Sequence, residues 1–552
     1  MNFKLGILMD DLSVDVHLKK LIFDLKKNPK IDLILLKNDF KKPTGFKKLF
    51  LKIKYEGFYR VMNIGFFNFV IYLESFLTKI FSKKYRNSLE VTKIDEKVFS
   101  KKINLTPNIF KYYFVSYEDL DIEKIQSNQI DLILRGNATG IFKGKILDVA
   151  THGLISAHHG DNRWNRGGPP GFWEVLLKKD ETGFMFQICT EKLDAGKVIF
   201  RGGVATKPFF LINMMNLYFA SFPFLTKTIN KIVDKNFLPK VEERIKDESK
   251  LYKTPNFKDS FKYIFSRLAF IFERFFLRHI LRKKQVWSIA YQHNNFDNLS
   301  LKGFKRIQNK PGHFYADPFC ISIDKVNYIF VEDYSFKTQK GKISLLIEEK
   351  NNIRTISNII DEDFHLSFPY IFEYKSKFYM VPESHENNDI RLYECVDFPT
   401  KWKFKKTIKK NICAVDSMIF KKDNMWWLFT NIADPQSQDY SSQLHAFFSE
   451  DPVNGKWLEH KENPIIFSAK GGRNGGIIKN NDSYLRICQN YGFAQYGKSF
   501  SISKITKLNE HQYDQEELME VSANFFDNLS GCHHLSSSKN FTVIDYVKNE
   551  KI

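Results

Sequence analysis

The chain is poor in the features that would place it in an oxidising compartment or across a membrane. Its 552 residues hold only six cysteines. Cys189, Cys320, Cys395, Cys413, Cys488 and Cys532 lie far apart with no Cys-x-x-Cys pair, so they specify neither a disulfide framework nor a cysteine zinc site, and they read as reduced core residues of a cytoplasmic protein. The opening MNFKLGILMDDL has a short apolar run cut by Asp10 and Asp11, which excludes a signal peptide and predicts a first strand. Nothing approaches the ~20 uninterrupted apolar residues of a membrane span. One long apolar run is broken by Arg60, Glu74 and Lys79, the other, 208 to 225, carries Asn213, Asn216 and Pro223, and both are expected to be buried helices. No Gly-x-Gly-x-x-Gly follows the first strand, so a nicotinamide cofactor is not expected. No arginine-rich stripe organises the net charge of +21. The lysines are scattered, and a solvated surface is preferred to a nucleic-acid partner.

What is abundant is apolar and aromatic. A 43% hydrophobic content with 54 phenylalanines can fill the cores of two or three domains. Near the N-terminus LGILM (5–9), IDLILL (31–36) and IDLILR (130–135) alternate with helical or loop stretches, the rhythm of a doubly wound α/β sheet. Residues 42 to 90 form an aromatic, basic helical insertion without an assigned role.

Polar chemistry concentrates in residues 153 to 199, GLISAHHGDNRWNRGGPPGFWEVLLKKDETGFMFQICTEKLDAGKVI. Leu154 and Ile155 read as the end of a buried strand, where open α/β sheets place ligands. The following loop carries His158, His159, Asp161, Arg163 and Arg166 among glycines. A helix is expected over 172–177 and a strand over 184–189, after which the loop 191–196 returns Asp194 toward the histidines. His152, His158, His159 and Asp161 are zinc-ligand types, but adjacent histidines rarely reach one ion, and no metal is expected.

In order and spacing this segment resembles the catalytic core of the folate-dependent formyltransferases, with its Asn-x-His-Pro strand end, Arg-Gly loop, helix, Thr-Gly strand and Asp-x-Gly turn. The resemblance puts His158 on the catalytic histidine, Arg166-Gly167 on the Arg-Gly, Thr182-Gly183 on the Thr-Gly and Asp194 on the catalytic aspartate. Ser156 stands where the family has its catalytic asparagine, and His159 where it has proline. The resemblance implies 10-formyltetrahydrofolate as formyl donor, a catalytic set of His158, Asp194 and Ser156, and cofactor contacts from Arg135, Asn137, Gly140, Asp161, Arg166 and Gly167. Formyl transfer to an amine passes through a tetrahedral oxyanion, so the site needs a donor to that oxygen and a base for the amine. His158 can serve either role, held by Asp194. Serine offers one hydroxyl donor on a shorter arm than asparagine, and losing one oxyanion donor costs about 2–4 kcal/mol of barrier. Asn137 or Asn162 is expected to compensate; otherwise the enzyme is slow or inactive.

From residue 285 onward four segments share a template of apolar strand, polar turn and aromatic strand: PFCISIDKVNYIFVEDY, PYIFEYKSKFYMVPES, SMIFKKDNMWWLFTNI and GGIIKNNDSYLRICQN. A fifth, HHLSSSKNFTVIDY, is weaker. Hairpin repeats with a period of about fifty residues, beginning at Pro318, Pro369, Ser417, Gly475 and His533, predict a five-bladed β-propeller. The pieces HFYADPF, HLSFPY, AVDSM and CHHLS resemble the N-terminal domain of the plant glucosamine inositolphosphorylceramide transferases, relatives in shape of five-bladed glycosidases. The resemblance implies a central channel with Asp317 and Asp416 at equivalent blade positions. Glu332, Asp333, Glu383 and His533 or His534 are their neighbours, and Trp426 and Trp427 are expected to stack on a sugar. Carbohydrate recognition is preferred to hydrolysis.

Between these regions, residues 259 to 284 place Phe261, Ile264, Phe265, Leu268, Ile271, Phe272, Phe275 and Phe276 on one helical face, with Lys262, Arg267, Arg274 and Arg278 elsewhere. Such a helix could lie peripherally on an anionic membrane, although docking of the stripe on its own chain is preferred. The expected organisation is a formyltransferase-like (Rossmann-like) α/β domain over 1–245, a basic helical connector over 246–284 and an all-β propeller over 285–552. The expected function is transfer of a formyl group to an amino sugar, carried by a nucleotide or glycan, in cell-surface polysaccharide biosynthesis. The opposing expectation is an impaired formyltransferase scaffold whose propeller binds or hydrolyses glycans.

Overall fold

The computed structural model describes residues 2–39, 45–110, 113–194, 196–239, 250–298, 300–433 and 437–551. The chain divides into two compact units, Met1–Ala269 and Phe270–Ile552. The junction expected at 245/246 lies outside the described residues.

In the first unit β1 (Phe3–Met9), β2 (Ile31–Asn38), β3 (Lys101–Leu105), β4 (Leu132–Arg135), β5 (Leu154–His158), β6 (Glu181–Ile188) and β7 (Lys197–Ala205) form one sheet. Its order is β7-β6-β5-β4-β1-β2-β3. The five strands from β3 to β5 are parallel, while β6 and β7 join antiparallel. Parallel strands are covered on both faces, which is why they read as unbroken apolar runs; Leu5, Ile7, Leu33, Leu35, Leu132 and Leu134 are fully buried. The chain runs from β1 outward to β2 and β3, then returns to β4 and β5 on the other side. The reversal opens a crevice at the carboxyl ends of β1 and β4.

Helices α1 (Val16–Lys26), α2 (Gly45–Glu56), α3 (Phe58–Phe81), α4 (Asp119–Ser127), α5 (Phe172–Leu176), α6 (Phe210–Lys235) and α7 (Phe257–Phe275) complete this part. Asp15 caps α1 by accepting from the His17 and Leu18 amides at 2.9 Å. As expected, α6 is buried along most of its length. The other apolar run is not. Helix α3 is long and apolar enough to cross a membrane, yet most of it faces outward because Asn63, Phe67, Val70 and Thr78 form its inner stripe. Helix α7 likewise reverses the expected docking: it buries Ser260, Tyr263 and Arg267 and exposes Phe261, Phe265, Leu268, Ile271, Phe272 and Phe275.

The second unit is a five-bladed propeller of four-stranded antiparallel sheets, the third carrying one short additional strand. The innermost strands are β8 (His313–Ile323), β9 (Ser367–Tyr374), β10 (Ala414–Lys422), β11 (Lys470–Asn480) and β12 (Leu535–Ser538). Each packs beside the next, and β12 packs beside β8 to close the ring. The fifth blade is shared by the two ends of the unit: Lys283–Gln292 pairs antiparallel with Phe541–Lys551 along its full length. That sharing explains why the fifth repeat is weak in sequence. A bulge recurs at one place in four inner strands, after Ala316, Ser367, Val415 and Asn474. It holds Asp317, Phe368 and Asp416 at φ of 49°, 45° and 49°. Bulges re-aim side chains, and here the repeated one carries Asp317 and Asp416 at equivalent positions of two blades and the core residue Phe368 at that of a third.

Candidate active site

At the end of β5, His158 Nδ1 lies 3.3 Å from Asp194 Oδ1. Its Nε2 is buried without a hydrogen-bond partner. Asp194 adopts φ of 48°, and its Oδ2 accepts from the Gly167 amide at 3.1 Å. Gly167 explains the glycine of the Arg-Gly pair: its φ is 98°, and a Cβ there would stand 2.2 Å from the Tyr252 carbonyl oxygen. Gly183 is required by packing, since a Cβ would meet Asp161 Cβ at 2.8 Å. Asp161 itself is locked by Arg163 at 2.5 Å and Arg201 at 2.8 Å. Although burial opposes it, Arg163 holds the Asp161 carboxyl below the usual range. The site is therefore built from loops pinned by charge and by close backbone approach.

Beside this pair is a small, open pocket lined by Arg135, Gly140, Ser156, Gln187, Cys189 and Asp194 among others. Arg135 shapes its wall by donating to the carbonyls of Ala138 and Gly140 at 2.9 and 3.2 Å. Ser156 and Gln187 are directly opposite in the β5–β6 ladder, which brings side chains within reach on one face. Gln187 Oε1 accepts from the Gly196 amide at 2.9 Å, and this fixes the amide so that Nε2 points to Asp194 Oδ1, 3.5 Å away. A register shift between Phe186 and Gln187 aims the side chain. Burial pushes the Cys189 thiol up to about 12, leaving it an inert wall.

The asparagines expected to compensate for Ser156 do not do so. Asn137 accepts from the Asp10 amide at 3.0 Å and donates to the Asp11 and Ser13 carbonyls, tying its loop to the end of β1. Asn162 donates its amide to the Asp194 carbonyl at 3.1 Å. His159 turns away from the pocket, shares a hydrogen bond with Ser221 at 2.9 Å and stacks on Phe222. Burial draws it down to about 3, a neutral core residue. Gln187 was not singled out from the sequence, where its only signal is one amide in the apolar strand FMFQIC.

The propeller axis gathers Asp317, Glu332, Asp333, Glu383, Asp416 and His533, all buried. Each carboxylate meets a base: Asp317 with His533 at 3.6 Å, Glu332 with His365 at 3.3 Å, Asp333 with His313 at 2.6 Å, Glu383 with His385 at 2.8 Å and Asp416 with Arg473 at 2.5 Å. Burial, then Glu332 and Asp416, raise the Asp317 carboxyl well above its ordinary value. Glu383 is drawn down to about 2 against burial by His385 and Arg473. Among the described residues, the group with metal-ligand spacing is Asp317, His533 and Asp545 rather than the histidines near 158; His533 Nδ1 already lies 2.5 Å from Asp545. Trp426 and Trp427 are core residues, with Trp426 packed on Phe372 and Tyr374. The aromatic lining near His533 comes instead from Trp287, stacked at 4.1 Å, and Tyr496.

Fold and site together define a formyltransferase-like α/β unit followed by a five-bladed propeller. Residues 284–536 match the family described as glucosamine inositolphosphorylceramide transferase 1, N-terminal. The C-terminal region is similar to glucosamine inositolphosphorylceramide transferase 1 of Arabidopsis thaliana, 35% identical over 213 residues, 38% of this chain and 28% of that protein. The N-terminal region is similar to methionyl-tRNA formyltransferase of Bacillus licheniformis, 27% identical over 194 residues, 35% of this chain and 58% of that protein. The chain thus spans less than two thirds of either relative, and both are transferases. Among solved structures, an alpha-L-arabinofuranosidase from Podospora anserina aligns over 48% of this chain and 98% of its own with a TM-score of 0.33 and 11% identity. Glycinamide ribonucleotide transformylase 1 from Symbiobacterium toebii aligns over 44% and 92% with a TM-score of 0.28 and 10% identity. The fold rests on strand order and ring closure, not on these likenesses.

Proposed function

We propose that the chain transfers a formyl group from 10-formyltetrahydrofolate to the amine of an amino sugar borne by a nucleotide or glycan, and that the propeller recognises the carbohydrate. The observation that carries the reading is the His158–Asp194 pair at 3.3 Å beside a pocket at the carboxyl edge of the sheet. Asp194 holds Nδ1, so the unpartnered Nε2 is the atom that takes a proton from the attacking amine or donates to the developing oxyanion. Arg135 and Gly140 line the wall where a folate would lie. At the propeller axis, paired carboxylates and stacked aromatic rings are the groups that bind sugar hydroxyls and ring faces.

Titration calorimetry of the full chain with 5-formyltetrahydrofolate tests the donor, and mass spectrometry of amino-sugar nucleotides incubated with enzyme and 10-formyltetrahydrofolate tests the acceptor. Folate binding and a formylated amine are expected. A folded protein that binds no folate at millimolar concentration would overturn the enzymatic reading.

A further inference from the structure

The helical insertion has no part in the pocket, and its amphipathicity is turned outward. On α3 every polar anchor lies on the inner side: Asn63 accepts from the Phe257 amide at 2.8 Å, and Glu74 accepts from the Leu211 amide at 2.7 Å and the Tyr263 hydroxyl at 2.5 Å. Burial raises the Glu74 carboxyl, as expected of a group withdrawn from water. The opposite face presents Phe58, Phe69, Tyr72 and Phe76 to solvent. Between Arg60 and Lys79 the only charge on α3 is Glu74, and it points inward. Helix α7 lies alongside, with Phe66 against Phe257 and Phe261 at 5.1 and 4.9 Å. It extends the same surface with Phe261, Phe265 and Leu268 while Arg267 is buried against the Pro208 carbonyl.

Soluble monomers seldom expose an apolar patch beyond a few hundred Å², and this one is rimmed by cations: Lys47 and Lys54 at one end, Lys79, Lys83 and Lys84 at the other. We infer that this face of α2, α3 and α7 seats the protein in one leaflet of an anionic lipid membrane. Aromatic side chains suit the headgroup–acyl boundary, and lysines beside them suit anionic headgroups. A second copy of the chain fits poorly, because pairing the face with itself would bring two basic rims together. A membrane-spanning α3 fits no better: Asn63 and Glu74 bond one stripe of the helix to the protein, whereas a span is apolar all round.

Flotation of the full chain with vesicles tests the inference. The protein is expected to float with vesicles of phosphatidylcholine plus phosphatidylglycerol, and far less with phosphatidylcholine alone. The Phe69→Ser/Phe76→Ser/Phe265→Ser variant replaces only exposed side chains, so it keeps its thermal midpoint and loses about tenfold or more of its lipid binding. The Lys54→Gln/Lys83→Gln variant is a second probe and should lose mainly the salt-sensitive part of binding. Failure of the wild-type chain to float with anionic vesicles overturns the inference. Light scattering that shows a dimer dissociated by the phenylalanine substitutions, with no lipid binding, makes a second copy the occupant instead.

Discussion

The His158 site and the propeller axis use the same residue types in different numbers: one His–Asp pair at the first, four histidine–carboxylate pairs and one arginine–carboxylate pair at the second. At the axis every carboxylate of the central set has a histidine or arginine within 4 Å. At the His158 site one imidazole nitrogen meets Asp194, and the other is buried with nothing to bond to. The pairing at the axis is incomplete: Asp317 Oδ1 and both ring nitrogens of His534 are buried without a hydrogen-bond partner, and burial, then the surrounding carboxylates, raise the Asp317 carboxyl. Each site therefore holds buried polar atoms left open, His158 Nε2 at the first and Asp317 Oδ1 at the second, and such atoms call for a partner.

The largest effect should come from breaking the compensation at the axis. Arg473 is shared by Asp416 at 2.5 Å and Glu383 at 3.9 Å. Arg473→Met leaves Asp416 buried without its cation, while Glu383 keeps His385 at 2.8 Å, and denaturant unfolding should show a loss of about 3–5 kcal/mol. A loss below about 1 kcal/mol would mean that the axis is not held by its ion pairs.

A buried carboxyl of the first unit gives a sharper contrast because burial outweighs the pull of Lys179 on it. Burial raises Glu174 from 4.5 to about 7, with Oε1 accepting from Asn165 at 3.3 Å and Oε2 unpartnered. The native state keeps its proton at pH values where the unfolded chain has lost it, so stability falls as pH rises from about 4.5 to about 7 and levels off above. The span corresponds to about 3 kcal/mol. Glu174→Gln should match the parent near pH 4 and exceed it by about that amount near pH 8, read from unfolding curves across pH. Parallel curves for the two proteins would place the carboxyl in contact with water or a cation.

At the His158 site the effects should be kinetic. His158→Ala and Asp194→Asn should each slow formyl transfer at least about a hundredfold with little change in thermal midpoint. Asparagine tolerates the left-handed backbone at 194, so the second substitution tests the charge alone. Full activity in His158→Ala would move the chemistry to another residue.

Much of this was legible in the chain. The parallel strands declare themselves as apolar runs, and the ordered motif from Ser156 to Asp194 brings His158 and Asp194 together in space. The propeller was readable because each blade repeats a hairpin. What escaped was orientation. In α3 and α7 the apolar stripe was expected to face inward; a single glutamate hydrogen-bonded at both oxygens, Glu74, and a buried arginine, Arg267, reverse it. Periodicity reports that a helix has two faces and is silent on which one the protein keeps. Trp426 and Trp427 failed for a related reason, since blade-to-blade packing and channel lining both consume aromatic residues.

Gln187 was missed because its partnership with Ser156 crosses strands, and it supplies the finest test of the contrast. The residue that replaces the expected asparagine cannot reach far, but the amide opposite it can, with its oxygen held by Gly196 and its nitrogen turned toward Asp194. If that nitrogen stabilises the oxyanion, Gln187→Met should lower kcat by about tenfold or more while KM stays near its parent value, since the donor acts chiefly in the transition state. Introducing Ser156→Asn into the same chain should restore part of kcat by returning an amide from the neighbouring strand. A merely structural glutamine, needed only to satisfy the Gly196 amide, would show a lowered thermal midpoint and no rescue by asparagine at 156.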